Sequence, residues 1–117
     1  MPCAGFAVID GDTIACGSQH LRLLGDGAPY VSGVDAPESG GRAKCGRERA
    51  LAQKAARRLA ELATQAGVVI ERTGVRDRYG RELATLRLPD GRSAGAALIA
   101  EGLAVVWRPG RHADWCR

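Results

Sequence analysis

One helix-periodic stretch, residues 44–65, lies between β-leaning runs too short to build anything but a small sheet. Leu51, Ala55, Leu59 and Leu62 recur at spacings of four, four and three, which puts them on one face. Arg47, Glu48, Lys54, Arg58 and Glu61 lie away from that face, and Gly67 ends the segment. Before it, residues 6–10, 13–16 and 19–24 form β-leaning runs punctuated by Asp10-Gly11 and Gly17-Ser18, the pattern of a meander. After it, strands are predicted over 68–72, 82–88 and 103–107, with a turn at 77–80 and a short helix capped by Ser93 and ending at Gly102. Residues 26–32 and 39–41 read as loop. No repeat or linker divides the 117 residues, so the chain reads as a single domain over 1–117. The element order predicts an α+β, mostly β fold: a small barrel with helices packed against it.

Hydrophobic residues make up 45% and charged residues 26%, which excludes disordered and collagen-like chains. The net charge is +4, and 15 of the 17 basic residues are arginine. Arginine's planar fork grips phosphate at two points, so nucleic acid is a candidate partner, with a merely solvated basic surface as the alternative. No apolar run approaches the ~20 residues needed to span a bilayer, so no membrane association is expected. No signal-peptide pattern opens the chain, which points to a cytosolic protein or to one whose leader has been removed. The four cysteines, Cys3, Cys16, Cys45 and Cys116, include no CxxC pair and no histidine at ligand spacing, which argues against zinc. An even count in a short chain suggests two disulfides, with three connectivities open; four buried thiols are the other reading. The favoured pairing joins Cys3 to Cys16 across neighbouring strands and leaves Cys45 for Cys116. An oxidising compartment goes with it.

Two acidic constellations and one basic turn, Asp77-Arg78-Tyr79-Gly80-Arg81, carry the chemistry, the turn's simplest reading being an ordinary basic hairpin turn. Asp10-Gly11-Asp12-Thr13 is a tight hairpin turn in its simplest reading, yet a turn does not need its second aspartate. Asp35-Ala36-Pro37-Glu38 has the spacing of a helix cap, but Ser39-Gly40-Gly41 would break the helix being capped. Two carboxylates on a loop with no helix to serve point to a ligand. Asp12, Asp35 and the Ala36 carbonyl are hard oxygen donors; a calcium ion takes about 6–8 oxygens, so three protein ligands leave room for water and a phosphate. Arg22 alternates with Leu21 and Leu23 and so faces away from them. Arg22 and Arg81 suit a phosphate, and Glu38 suits activation of a water. His20 and His112 have no neighbouring acid or nucleophile in sequence and read as bystanders.

VIDGDTI (residues 8–14), LRLLG (21–25), VDAPE (34–38), RDRYGRELA (76–84) and EGLA (101–104) together make the chain resemble the thermonuclease family, the staphylococcal-nuclease-like domains. The resemblance implies a five-stranded oligonucleotide-binding barrel with flanking helices. It also implies Ca2+-dependent cleavage of DNA and RNA, single strands preferred, to 3′-phosphate ends by a monomer. Carried over by matched position, Asp12 and Asp35 correspond to calcium ligands with the Ala36 carbonyl. Glu38 corresponds to the general base or water-positioning group, Arg22 and Arg81 to the phosphate-binding arginines, and Tyr79 to a nucleotide-contacting tyrosine. The cysteines and the Trp115-Cys116 ending are similar to secreted or periplasmic bacterial members.

The chain departs from that pattern in three ways. Residues 26–33 intervene between LRLLG and VDAPE, and contain a partial echo, Asp26-Gly27-Ala28-Pro29, that lacks the following glutamate. Longer members continue past the last strand with another helix. Aromatic residues are 4%, which leaves Tyr79, Tyr30 and Trp107 as platforms for stacked bases and predicts sequence-tolerant binding through phosphate contacts. The competing functional readings are a catalytically inactive nucleic-acid-binding module disabled by residues 26–33, and a protein-interaction domain that keeps only the barrel.

Overall fold

The computed structural model describes residues 3, 5–25, 34–107 and 113–116. The first three strands, β1 (Phe6–Asp10), β2 (Thr13–Cys16) and β3 (Gln19–Leu23), form the expected antiparallel meander. β3 then pairs in parallel with β6 (Glu82–Arg87), which pairs antiparallel with β5 (Val69–Arg76), giving the order β1-β2-β3-β6-β5. β4 (Val34–Asp35) and β7 (Val105–Val106) make a separate two-stranded pair. The α+β, mostly β reading therefore holds. The barrel does not close among the described residues: β1 and β5 are the edges of an open sheet. The register of β5 shifts between Arg72 and Arg76, where Gly74 adopts φ +75°, so the strand bends there instead of running straight.

Helix α1 spans Gly46–Ala63, inside the predicted 44–65. Ala52, Ala55, Leu59, Leu62 and Ala63 are buried, whereas Leu51, expected on the inner face, is only half-buried. Glu48 corrects the predicted polar face: it is 5% exposed, because at the third helical position its carboxylate turns back to backbone amides with no helical partner. Ser93 caps α2 (Ala94–Ala100), its Oγ accepting from Ala96 N at 2.9 Å. α1 packs on β1 and α2, and α2 on β6. The shared core includes Ile14, Leu21, Leu23, Leu59, Leu86 and Leu98, all fully buried, at about 1.5–3 kcal/mol per side chain.

β5 is longer than the predicted 68–72 and β7 shorter than 103–107. β4 falls where the sequence reads as loop, because a two-residue strand carries too little pattern to be read. Both disulfides form as favoured, Cys3–Cys16 and Cys45–Cys116. No helix of the described residues is long and apolar enough to cross a membrane.

Candidate active site

The turn joining β1 to β2 meets α1 and the segment after β4 at one point. Gly11 makes this approach possible: a Cβ there would lie 2.9 Å from Ala55 Cβ and 3.0 Å from Ala36 Cβ. The next residue, Asp12, is buried and accepts from Ala36 N (Oδ2, 3.4 Å) and from the Thr13 hydroxyl (Oδ1, 3.0 Å).

Arg22 projects from β3 between the fully buried Leu21 and Leu23, with its guanidinium on the other side, as the alternation required. Its Nη2 donates to the Val34 carbonyl at 2.9 Å and stands 3.8 Å from Asp12 Oδ2. Residues 26–33, with Tyr30, lie outside the described residues. On either side of them, Leu24, Gly25 and Val34 all border Gly95, where a Cβ would stand 2.8 Å from Leu24 O and 2.9 Å from Val34 Cγ1. The ends of β3 and β4 therefore stay together, and Arg22 remains beside the VDAPE segment.

Arg81 is held by its own turn. Asp77 accepts from Tyr79 N and Arg81 N through Oδ1, both at 2.9 Å, and from Arg81 Nε through Oδ2 at 2.8 Å. Burial raises the Asp77 pKa, but those amides and the Arg81 guanidinium outweigh it, so the carboxyl ends below its ordinary range. Arg81 Nη1 reaches Thr13 Oγ1 at 3.3 Å, which joins this turn to Asp12. Tyr79 is exposed, with the Arg78 and Arg81 guanidiniums 5.0 and 5.4 Å from its ring centre.

Glu38 is half-exposed at the rim. Burial raises its pKa first; Arg42 draws it down, while Asp12, Asp10 and Glu48 push it up further. Its backbone amide donates to Glu48 Oε2 at 2.9 Å, and Lys44 N donates to Oε1 at 2.9 Å, so Glu48 pins the loop to α1.

Three participants were not singled out as site residues from the sequence: Glu48, Asp10 and Arg42. Asp10 is 5% exposed, and its Oδ1 has no hydrogen-bond partner among the described residues. Burial raises its pKa; the Ser39 hydroxyl, Arg42 and Arg81 act against this, and Asp12 with it. Arg42 Nη2 pairs with Asp10 Oδ2 at 3.0 Å, and its Nε stands 3.6 Å from Glu38 Oε2. The first aspartate of DGDT was the available signal for Asp10, obscured by its plausibility as a turn residue.

Asp35 is placed differently from Asp12. Its Oδ2 accepts from the Ala113 amide at 3.1 Å, a contact spanning 78 residues of chain. Among the described residues, no three His, Cys, Asp or Glu side chains form a ready-made cation cage. The candidate ligands are two carboxylates and a carbonyl, with Asp10 adjacent.

A family model described as staphylococcal nuclease homologue matches residues 30–114. The chain belongs to the staphylococcal nuclease family. The matched stretch contains Asp35, Ala36, Glu38, Tyr79 and Arg81. Asp12 and Arg22 precede it and are tied to it by the contacts to Ala36 and Val34. No curated protein matches the chain.

Proposed function

We propose that this member of the staphylococcal nuclease family is a calcium-dependent phosphodiesterase that hydrolyses DNA and RNA, single strands preferred, to 3′-phosphate ends. The observation that carries the reading is the meeting at Asp12. Arg22 from β3 and Ala36 from the VDAPE segment stand beside its Oδ2, and Arg81 is joined to it through Thr13. Anion-binding and cation-binding groups are thus adjacent, as phosphodiester hydrolysis requires.

The donor set fits a hard cation. Every candidate atom is oxygen, and beside them Asp10 Oδ1 is a buried acceptor with no hydrogen-bond partner among the described residues, although Arg42 pairs with its other oxygen. Asp12, Asp35 and the Ala36 carbonyl would hold calcium, which when bound supplies Lewis acidity toward the phosphate. Arg22 and Arg81 orient the phosphate and balance the charge that grows on its oxygens as phosphorus becomes five-coordinate. Glu38 accepts the proton of the attacking water; its raised pKa makes it a stronger base than an ordinary carboxylate. The water oxygen stays on phosphorus, the bond from phosphorus to the 5′ oxygen breaks, and that oxygen leaves as a 5′ hydroxyl by taking a proton from solvent, while Glu38 returns to solvent the proton it accepted. Tyr79 and its flanking arginines offer a platform for the neighbouring nucleotide.

The two disulfides fit an oxidising compartment, and we place the protein outside the cytoplasm, secreted or periplasmic. In this reading the open five-stranded sheet corresponds to the oligonucleotide-binding barrel of the family without its closing β1–β5 pairing, and the domain acts as a monomer. The test is hydrolysis of an end-labelled single-stranded oligonucleotide with calcium and with a chelator. Calcium-dependent cleavage to 3′-phosphate ends is expected. Salt-sensitive binding without cleavage would make the chain an inactive nucleic-acid-binding module instead.

A further inference from the structure

The Cys45–Cys116 disulfide connects two sides of the site that the backbone separates by 71 residues. On one side Cys45 is the N-cap of α1, its Sγ accepting from Glu48 N at 3.4 Å, and Glu48 holds the Glu38 amide. On the other side Cys116 closes a short segment in which Cys116 N donates to Asp114 Oδ1 at 3.0 Å. The same segment delivers the Ala113 amide to Asp35 Oδ2. We propose that this segment is a strap that positions Asp35: the Ala113 amide orients the carboxylate, and the disulfide keeps that amide in place. The inference rests on reading Asp35 as a cation ligand.

Asp35 lies in β4, which is two residues long and is held among the described residues by the equally short, exposed β7 and by the Arg22 hydrogen bond to the Val34 carbonyl, neither of which touches its carboxylate. A carboxylate that gives one oxygen to a cation needs a donor on the other to fix its rotation, and such outer partners contribute strongly to affinity. A single hydrogen bond across 78 residues would not order the segment 113–116 by itself. A covalent tie three residues away makes the contact local and raises its effective concentration. The other disulfide provides an internal comparison. Cys3–Cys16 spans 13 residues and clips the end of the β1–β2 hairpin opposite the Asp10–Asp12 turn, so it reaches none of the site residues.

The experiment compares two cysteine pairs, Cys45→Ser with Cys116→Ser and Cys3→Ser with Cys16→Ser. Serine at position 45 keeps a good N-cap acceptor, so the first pair removes the tie and not the helix cap. Calcium affinity is measured by calorimetry on the protein without nucleic acid, and Ala113 amide protection by hydrogen exchange. For the first pair we expect calcium to bind about tenfold more weakly and the Ala113 amide to lose protection. The second pair keeps both properties whatever its loss in melting temperature. Ala113 protection that survives loss of Cys45–Cys116, or equal weakening of calcium in both pairs, overturns the proposal. Wild-type protein that binds no calcium defeats the ligand reading of Asp35 itself and takes the strap with it, a failure visible before any cysteine is changed.

Discussion

Replacing Glu48 by alanine removes the acceptor of two backbone amides at once, those of Glu38 and Lys44, each at 2.9 Å from a carboxylate oxygen. A hydrogen bond to a charged acceptor contributes about 1.5–3 kcal/mol. Both bonds are only part-buried, so the freed amides regain some water and each loss sits at the lower end of that range. Alanine's better helix propensity returns a few tenths of a kcal/mol, and losing an acid in the first turn takes back a similar amount. The net cost is therefore about 3 kcal/mol. Glu48→Gln keeps one carbonyl oxygen for one amide and sets its NH2 group against the other donor, which predicts about half to two-thirds of that loss. Urea denaturation of the three proteins gives both values directly. Because the Glu38 amide is one of those released, kcat on an oligonucleotide should also fall in both variants. Glu48→Ala within about 1 kcal/mol of wild type, or Glu48→Gln as damaging as alanine, would refute the double-acceptor account.

Asp77→Asn should destabilise by about 1–2 kcal/mol at neutral pH, since it weakens the grip on Arg81 Nε and two amides. The folded Asp77 pKa is lowered, so its stabilisation is complete above the ordinary aspartate value and is lost as pH falls through the folded one. Urea titrations at pH 7 and near pH 3 should show the gap between wild type and variant shrink in acid. Gly11→Ala places a Cβ against Ala55 and Ala36 and should cost about 1–3 kcal/mol by overpacking. The same change moves Asp12 away from Ala36, so activity should drop beyond the stability loss, as seen in kcat measured well below the melting temperature.

The elements were legible in the sequence where pattern and length agreed. The β1–β2–β3 meander, α1 and the Ser93 cap follow from turn residues and periodicity, and Arg22's orientation follows from one alternation. What stayed hidden was set by tertiary contact. Glu48 reads as a surface acid until the loop carrying Glu38 is laid against the helix N-terminus. β4 exists because β7 lies beside it, not because two residues prefer to be extended. The parallel β3–β6 pairing joins segments that only the folded chain brings together. Arg42 ends a single 3-10 turn, Gly40–Arg42, in a stretch whose glycines read as loop, and nothing in that sequence shows that it lies against Asp10.

The central claim is that Asp12, Glu38, Arg22 and Arg81 form one hydrolytic site, and it is tested most directly by removing the base while leaving the rest. Wild type and Glu38→Ala are compared for turnover and for binding of a labelled single-stranded oligonucleotide in calcium. The account predicts turnover lower by about 10²–10⁴ in the variant with binding retained, because Glu38 handles the water's proton and not the phosphate. Turnover unchanged in Glu38→Ala would contradict it.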